Sequence, residues 1–513
     1  MSELNDLAWL APLLPLLAAA WIGIGIVARV NLGEAGEKQT SLVMSIASGG
    51  ALLLLLLLDL LTVINGPPGK IHLLGWLQVD EYSIDLAFIL DGFALAVATL
   101  VALIAFLSIR FSINYLHREA GFQRFFMLLG LFNSAMLLIV MAANTGLMFI
   151  GWELAGVSSY LLIGYAYNRD TASKNANRAF VTNRIGDAGF ILGIFFSVTW
   201  LGSSDWQSMA QTASYLQTTH VAVIAGSFVI AALAKSAQVP FAGWIARALE
   251  GPTPSSAVFY GALMVHAGVY LVIRLEPLLT QVPILMLMLV LIGLLSTLYG
   301  WLCALVQTDV KSSLMFSTTA QVGLMFLACG LGWFELAKWY LLLHASFRAY
   351  QFLHAPALMH LATADPRPVP AWLAGNTWLY NAALRRFWLD PVADAVLVKP
   401  TRALSTDLQN FDERVVNRMV GLPNRSYLGA AEIKPGTSTP GNVGRGRGVV
   451  GRLMEFLSRV LHWFEEHLIL KGGGEGLIAG IQLVGKYMQQ AENLLSQPRY
   501  LILAIAATFV VII

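Results

Sequence analysis

The chain has 513 residues, of which 57% are apolar and only 12% charged, with a mean hydropathy of +0.67 and a formal net charge of +2. That balance excludes a water-soluble domain of this length, and a charge so near zero argues against nucleic acid as a partner. Its cysteines, Cys303 and Cys329, both fall inside apolar segments, which leaves no disulfide framework and no CxxC metal site.

The sequence reads as an all-α polytopic membrane protein set in a lipid bilayer. Met1 to Asp6 carries acids rather than a basic stretch, so the first span is expected to stay attached. Apolar stretches long enough to cross a bilayer fall near 7–29, 41–64, 84–110, 124–142, 146–167, 179–201, 219–246, 254–274, 281–306, 311–332 and 338–361. A short further span begins near 499. Arg29, Lys38, Arg110, Arg118, Arg124, Arg169, Lys174, Arg178 and Arg247 all follow odd-numbered spans. Basic loops stay inside, so the N-terminus is expected outside and the odd loops in the cytoplasm.

After residue 362 the composition changes. The expected organisation is a transmembrane bundle over 1–362, a cytoplasmic polar tail over 363–498 and a terminal helix over 499–513. Within the tail, 423–447 is a Pro/Gly/Ser/Arg-rich linker. Residues 452–470 place Leu453, Phe456, Leu457, Val460, Leu461, Phe464 and Leu468 on one stripe, the pattern of an amphipathic helix that lies on the membrane, docks on a partner or packs on its own bundle.

Two ionisable residues interrupt apolar runs. Glu153 lies within Leu147 to Gly164, and Lys235 within Ala231 to Trp244. A charge at that depth costs several kcal/mol unless it is paired, neutralised or beside water, so such residues mark ion paths. The bland alternative is a buried pair that only joins helices. Two spans read as broken: Pro240 frees the carbonyl of Ser236, and Arg348, Gln351 and Pro356 repeat the arrangement in the eleventh span. Arg348 keeps its charge and suits a fixed field rather than a relay. His266, His344, His354 and His360 titrate near neutrality, with packing as the alternative role, and Ser317, Thr318, Thr319 and Gln321 are suited to holding water. No cofactor is expected. Gly446 to Gly451 fits G-x-G-x-x-G but follows a linker, a Walker A pattern is lacking, and the histidine spacing fits no zinc site.

A family resemblance rests on Phe149-Ile-Gly-Trp-Glu153 and its continuation to Gly164, Phe180-Val-Thr-Asn-Arg184-Ile-Gly-Asp187, Lys235-Ser-Ala-Gln-Val-Pro240, Glu250-Gly-Pro-Thr-Pro254 and Thr308-Asp309-Val-Lys311-Ser-Ser. In this order they resemble the antiporter-like, proton-conducting membrane subunits of respiratory complex I and of Mrp-type cation/proton antiporters, above all the large distal subunit of complex I. The resemblance implies that Glu153 and Lys235 form the family's acid and lysine pair, with Asp187 and Arg184 beside them. The proton path expected from the residues also takes in Tyr260, His266, Lys311, His344 and Arg348. The chain departs from the pattern at Tyr260, where the respiratory subunit has histidine, and at Arg348, where lysine is expected. Later core spans give way to the polar tail. That shortened form is similar to the membrane subunit of the DAB-type inorganic carbon pump. This resemblance implies a larger partner like a zinc β-carbonic anhydrase, and an ion gradient, of protons or Na⁺, driving CO₂ to bicarbonate. The hydration chemistry would then belong to the partner, and this chain would be a transporter subunit rather than an enzyme.

Overall fold

The computed structural model describes residues 5–361 except 32, 80, 81, 262 and 263, then 368–411 except 394, 397 and 398, and the isolated residues 415, 416 and 456. The linker at 423–447, the terminal helix at 499–513 and, apart from Phe456, the amphipathic helix at 452–470 lie outside the described residues.

Seven helices reach the first break: α1 (Leu10–Val27), α2 (Gly33–Asn65), α3 (Gly92–Tyr115), α4 (Phe122–Met141), α5 (Thr145–Ile163), α6 (Asp170–Leu201) and α7 (Thr218–Lys235). They are followed by α8 (Ala267–Arg274), α9 (Pro283–Leu305), α10 (Val310–Gly330) and α11 (Phe334–Leu361). Among the described residues, nine of these are long and apolar enough to cross a membrane. Local chemistry fixes several starts. Asp91 accepts from the Ala94 N–H at 2.7 Å, Asn144 from Leu147 at 2.8 Å and Asp309 from Ser312 at 2.8 Å, each an N-cap satisfying an orphan donor.

Helices α4 and α5 form the centre, with Phe125, Phe126, Phe132, Met136, Met148 and Trp152 almost fully buried. Outward faces of α1, α2 and α9 carry exposed Ile24, Ile46, Leu53, Ile284 and Leu295. In water such stripes would be costly; against hydrocarbon they are matched.

Polar tethers gather at the helix ends. At one end the Glu37 carboxylate takes His117 at 2.9 Å and the Arg118 N–H at 3.1 Å, Arg169 pairs with Glu250, and Lys311 donates to Thr253. At the other, Arg274 holds Asp91 with both terminal guanidinium nitrogens and Tyr270 donates to the Val140 carbonyl at 2.6 Å. The alternation matches helices running up and down in turn.

The structure departs from expectation in three places, at the hairpin, the eighth span and the eleventh, and shows the break expected in the seventh. An antiparallel hairpin, β1 (Gly69–Val79) and β2 (Tyr82–Leu90), joins α2 to α3, so the third span begins at Gly92 rather than near 84. Lys70 anchors the hairpin on Asp205 at 2.5 Å, and the Asn144 side chain donates to the Asp85 carbonyl at 2.7 Å. The seventh span stops at Lys235 and resumes as a 3-10 segment, Phe241–Glu250. The eighth is also interrupted: Thr253–Ser256 forms one helical turn, Ala257–Gly261 a π turn, and α8 follows. The eleventh is continuous through Pro356, so the second break lies in the eighth span, not the eleventh.

The first part of the tail is folded. Leu373 and Ala383 are buried against Val306, and α12 (Thr377–Leu384) contributes Leu379 and Tyr380 to that contact. One compact unit takes in the chain up to Leu389, and a second begins at Asp390 and contains α13 (Lys399–Phe411).

Candidate ion site at the broken seventh span

Helix α7 ends because Ala237 adopts a left-handed backbone at φ 51°. The carbonyls released by that turn find other donors. Leu233 accepts from the Gln238 N–H at 2.9 Å, Ala234 from the Trp244 indole at 2.9 Å, and Ser236 from the Gln238 side chain at 2.9 Å. The carbonyl that Pro240 frees is thus taken by a residue of the same loop. The cation of Lys235 stands in the last turn, where the helix macrodipole is negative.

Lys235 is 1% exposed. Its ammonium donates to the backbone carbonyl of Trp152 at 2.8 Å and lies 5.0 Å from the centre of the Trp152 ring. The same tryptophan donates its indole N–H to the Asp187 carboxylate at 2.8 Å. Arg184, on α6 with Asp187, bridges the acids: it pairs with Glu153 of α5 and contacts Asp187 at 3.0 Å. Gly156 makes room for Arg184, since a Cβ there would lie 2.9 Å from its Nη2, and the same position lies 3.7 Å from Lys235 Nζ, an ordinary contact. Three helices therefore bring Glu153, Asp187 and Lys235, all buried, together with the partly exposed Arg184 into one group whose acids and cations balance.

A second polar chain crosses the bundle nearby. His266 and His344 are joined at 2.9 Å, His344 lies 3.4 Å from Arg348, and Arg348 donates to Ser317 at 3.0 Å. His266 is fully buried, and its Nδ1 has no protein partner. The two groups approach where α8 lies on the end of α7: a Cβ at Gly268 would meet the Ala232 carbonyl at 2.1 Å and Ser236 Oγ at 2.3 Å. Ser236 Oγ and Gln238 Oε1 are buried there without protein partners.

Other residues singled out from sequence stand elsewhere. The Tyr260 hydroxyl donates to the Ile245 carbonyl at 2.9 Å and its ring stacks on Phe352. Lys311 sits at the start of α10, on a Thr253 hydroxyl that also meets Tyr115 at 3.0 Å. His354 is exposed beside Tyr350, and the side chain of His360 lies outside the described residues. Gln321 binds the Tyr340 hydroxyl. Sequence reasoning missed Trp152, although it directly precedes Glu153 in the apolar run. Among the described residues no cluster of His, Cys, Asp or Glu is arranged to hold a metal ion.

Comparisons with known proteins agree with this architecture. Residues 142–365 match the family described as NADH:quinone oxidoreductase/Mrp antiporter, transmembrane, and residues 76–126 match the N-terminus of complex I chain 5. The chain is 37% identical over 361 residues to NAD(P)H-quinone oxidoreductase subunit 5 of the Paulinella chromatophora chromatophore, covering 69% of this chain and 54% of that protein. It is 34% identical over 366 residues to NAD(P)H-quinone oxidoreductase chain 5 of Synechocystis, covering 70% of this chain and 54% of that one. The chain thus spans about half the length of the curated relatives it matches. Among solved structures, the Mrp complex of Dietzia sp. superposes with a TM-score of 0.61 at 25% identity, covering 70% of this chain and 38% of that one. The archaeal membrane-bound sulfane sulfur reductase shares the fold alone, with a TM-score of 0.60 at 21% identity over 68% of this chain and 70% of that chain. Over its matched residues, 76–126 and 142–365, the chain belongs to the family of antiporter-like membrane subunits represented by complex I subunit 5 and the Mrp antiporters.

Proposed function

We propose that this chain conducts protons as one subunit of an ion-gradient-coupled membrane complex. The observation that carries the reading is the balanced group of Glu153, Asp187, Arg184 and Lys235 at the broken end of α7. Among its members the carboxyls and the lysine are able to gain and lose protons, whereas Arg184 holds its charge. A proton arriving at Glu153 releases Arg184 toward Asp187 and alters what Lys235 must balance. From there the path runs by Ser236 and Gln238 to His266, His344 and Arg348. One charge crossing about 100 mV yields about 2.3 kcal/mol, enough to bias a partner's conformational equilibrium more than tenfold. By the basic loops, we infer that the Glu37 and Lys311 end faces the cytoplasm and the Asp91 end faces outward.

The partners in this first reading are the redox or antiporter subunits of a complex I-like or Mrp-like assembly. A second reading has one observation in its favour: from Asp365, where the family match ends, the sequence turns polar. In it the ion flow drives a carbonic-anhydrase-like partner that hydrates CO₂ one way, at a bacterial cytoplasmic membrane.

The test expresses the chain with the products of its neighbouring genes and measures uncoupler-sensitive proton movement in membrane vesicles. Wild type, Glu153→Gln and Lys235→Ala are compared at matched protein levels. Conduction lost in both variants is expected, and conduction indifferent to both would make the buried charges structural. Bicarbonate accumulation in carbon-uptake-deficient cells, measured alongside, separates the carbon reading from the respiratory one.

A further inference from the structure

A carboxyl outside the Glu153 group also stands within a span. Asp59 follows the run Ala51 to Leu58 in α2, six residues before the helix ends at Asn65, or about 9 Å along the axis at 1.5 Å per residue. Thr99 of α3 donates its hydroxyl to Asp59 Oδ2 at 2.6 Å. Among the described residues no cation lies within ion-pair distance of Asp59, and Thr99 is its hydrogen-bond partner. One turn along the helix, the Thr62 hydroxyl is buried without a protein partner. Flanking side chains open outward: Leu56, Leu57, Leu60 and Val63 are among the exposed apolar residues of the surface that meets lipid.

An ionised carboxylate here would face hydrocarbon on one side and a single hydroxyl on the other, at a cost of several kcal/mol. A neutral acid avoids that cost, keeps the Thr99 hydrogen bond and carries its proton on the second oxygen. Glu153 and Asp187 differ in being closed off by Arg184 in the interior. We propose that Asp59 is a proton-carrying carboxyl facing the bilayer, and the position at which an apolar carbodiimide modifies this chain. The acid proton passes to one nitrogen of the N=C=N group while the carboxylate oxygen bonds to its central carbon. The acyl group then moves from oxygen to nitrogen, giving a stable N-acylurea. Every atom of both reactants stays in the adduct, and nothing is oxidised or reduced.

The inference stands apart from the conduction reading and is tested separately. Full-length protein in native membranes is treated with dicyclohexylcarbodiimide or with a water-soluble carbodiimide, then cleaved at lysine and arginine for mass spectrometry. The segment Gln39–Lys70 contains Asp59 as its sole acidic side chain, so an adduct there is unambiguous. Expected is an adduct on this segment ahead of those carrying Glu153 and Asp187, and roughly tenfold or more favoured with the apolar reagent, because hydrocarbon concentrates it at the carboxyl. The adduct should vanish in Asp59→Asn, with size-exclusion chromatography confirming that the variant is folded. Absence of the adduct from folded wild type, or equal labelling by the water-soluble reagent, would overturn the proposal; the reagent comparison needs no variant.

Discussion

Arg184 and Glu153 allow the balance of the buried group to be measured. Arg184→Gln leaves Glu153 and Asp187 against Lys235 alone, and Glu153→Gln leaves Arg184 and Lys235 against Asp187 alone. Each single change strands a charge. In a fully buried pair that costs about 3–5 kcal/mol, but the Arg184 side chain is 34% exposed, so screening brings our expectation to about 1–2 kcal/mol. The double variant Glu153→Gln/Arg184→Gln removes one charge of each sign and restores the balance. It should therefore be less destabilised than the two single changes summed, with a coupling of about 1–2 kcal/mol. The assay is unfolding of purified protein in mixed micelles of rising SDS content, followed by tryptophan fluorescence. Proton conduction should stay lost in the double variant, because rebalanced charge does not restore a titratable group at position 153. Additivity within about 0.5 kcal/mol would refute the reasoning, for it would mean that the two residues do not sense each other.

Two further predictions concern the framework around the group. In Gly268→Ala the new methyl would meet the Ala232 carbonyl at 2.1 Å, a backbone atom that cannot swing aside. A loss of about 2–3 kcal/mol from overpacking should outweigh the roughly 1 kcal/mol gained in helix propensity, seen as a reduced yield of monodisperse protein. Arg274→Ala strips Asp91 of its bidentate partner and Tyr270 of a donor. Since Asp91 is 36% exposed we expect a stability loss of about 1–3 kcal/mol, with conduction per folded molecule unchanged. Arg274→Lys should recover only part of it, because an ammonium lacks the two-pronged geometry.

How far the sequence was legible depended on what controlled each element. Long apolar runs gave the spans because hydrocarbon admits only backbones that satisfy themselves, and the ionisable interruptions at Glu153 and Lys235 led directly to the buried group. The hairpin was hidden because the apolar end of β2, Leu86 to Leu90, runs almost directly into α3 and blurs that boundary, while β1 (Gly69–Val79) read as a loop between spans. The breaks were misread in part because proline alone does not decide them. Pro356 loses one hydrogen bond and α11 continues past it, whereas α7 ends at the left-handed turn of Ala237, which has no sequence signature. At the eighth span Pro252, Pro254 and the small residues up to Gly261 were the available sign. Gly261 lies so close to Ala349 that a Cβ would come within 2.6 Å, a long-range contact that spacing does not reveal.

Trp152 gives the site a property that the ion pairs alone would lack. Its backbone carbonyl receives the Lys235 ammonium and its indole N–H serves Asp187, so one residue connects groups on α7 and α6 from a position on α5. If Lys235 gives up a proton, the carbonyl loses its charged donor and the end of α7 loses the cation that its dipole favours. Asp187 then depends on Arg184 and the indole alone. The same tryptophan packs on Phe190, which packs on Phe228 of α7, so a shift of its ring has little free volume to enter. In the proposed path a proton leaving Lys235 would therefore be felt at Asp187 through a rigid contact as well as through the field, and removal of that contact would leave both ionisable groups present but poorly coupled.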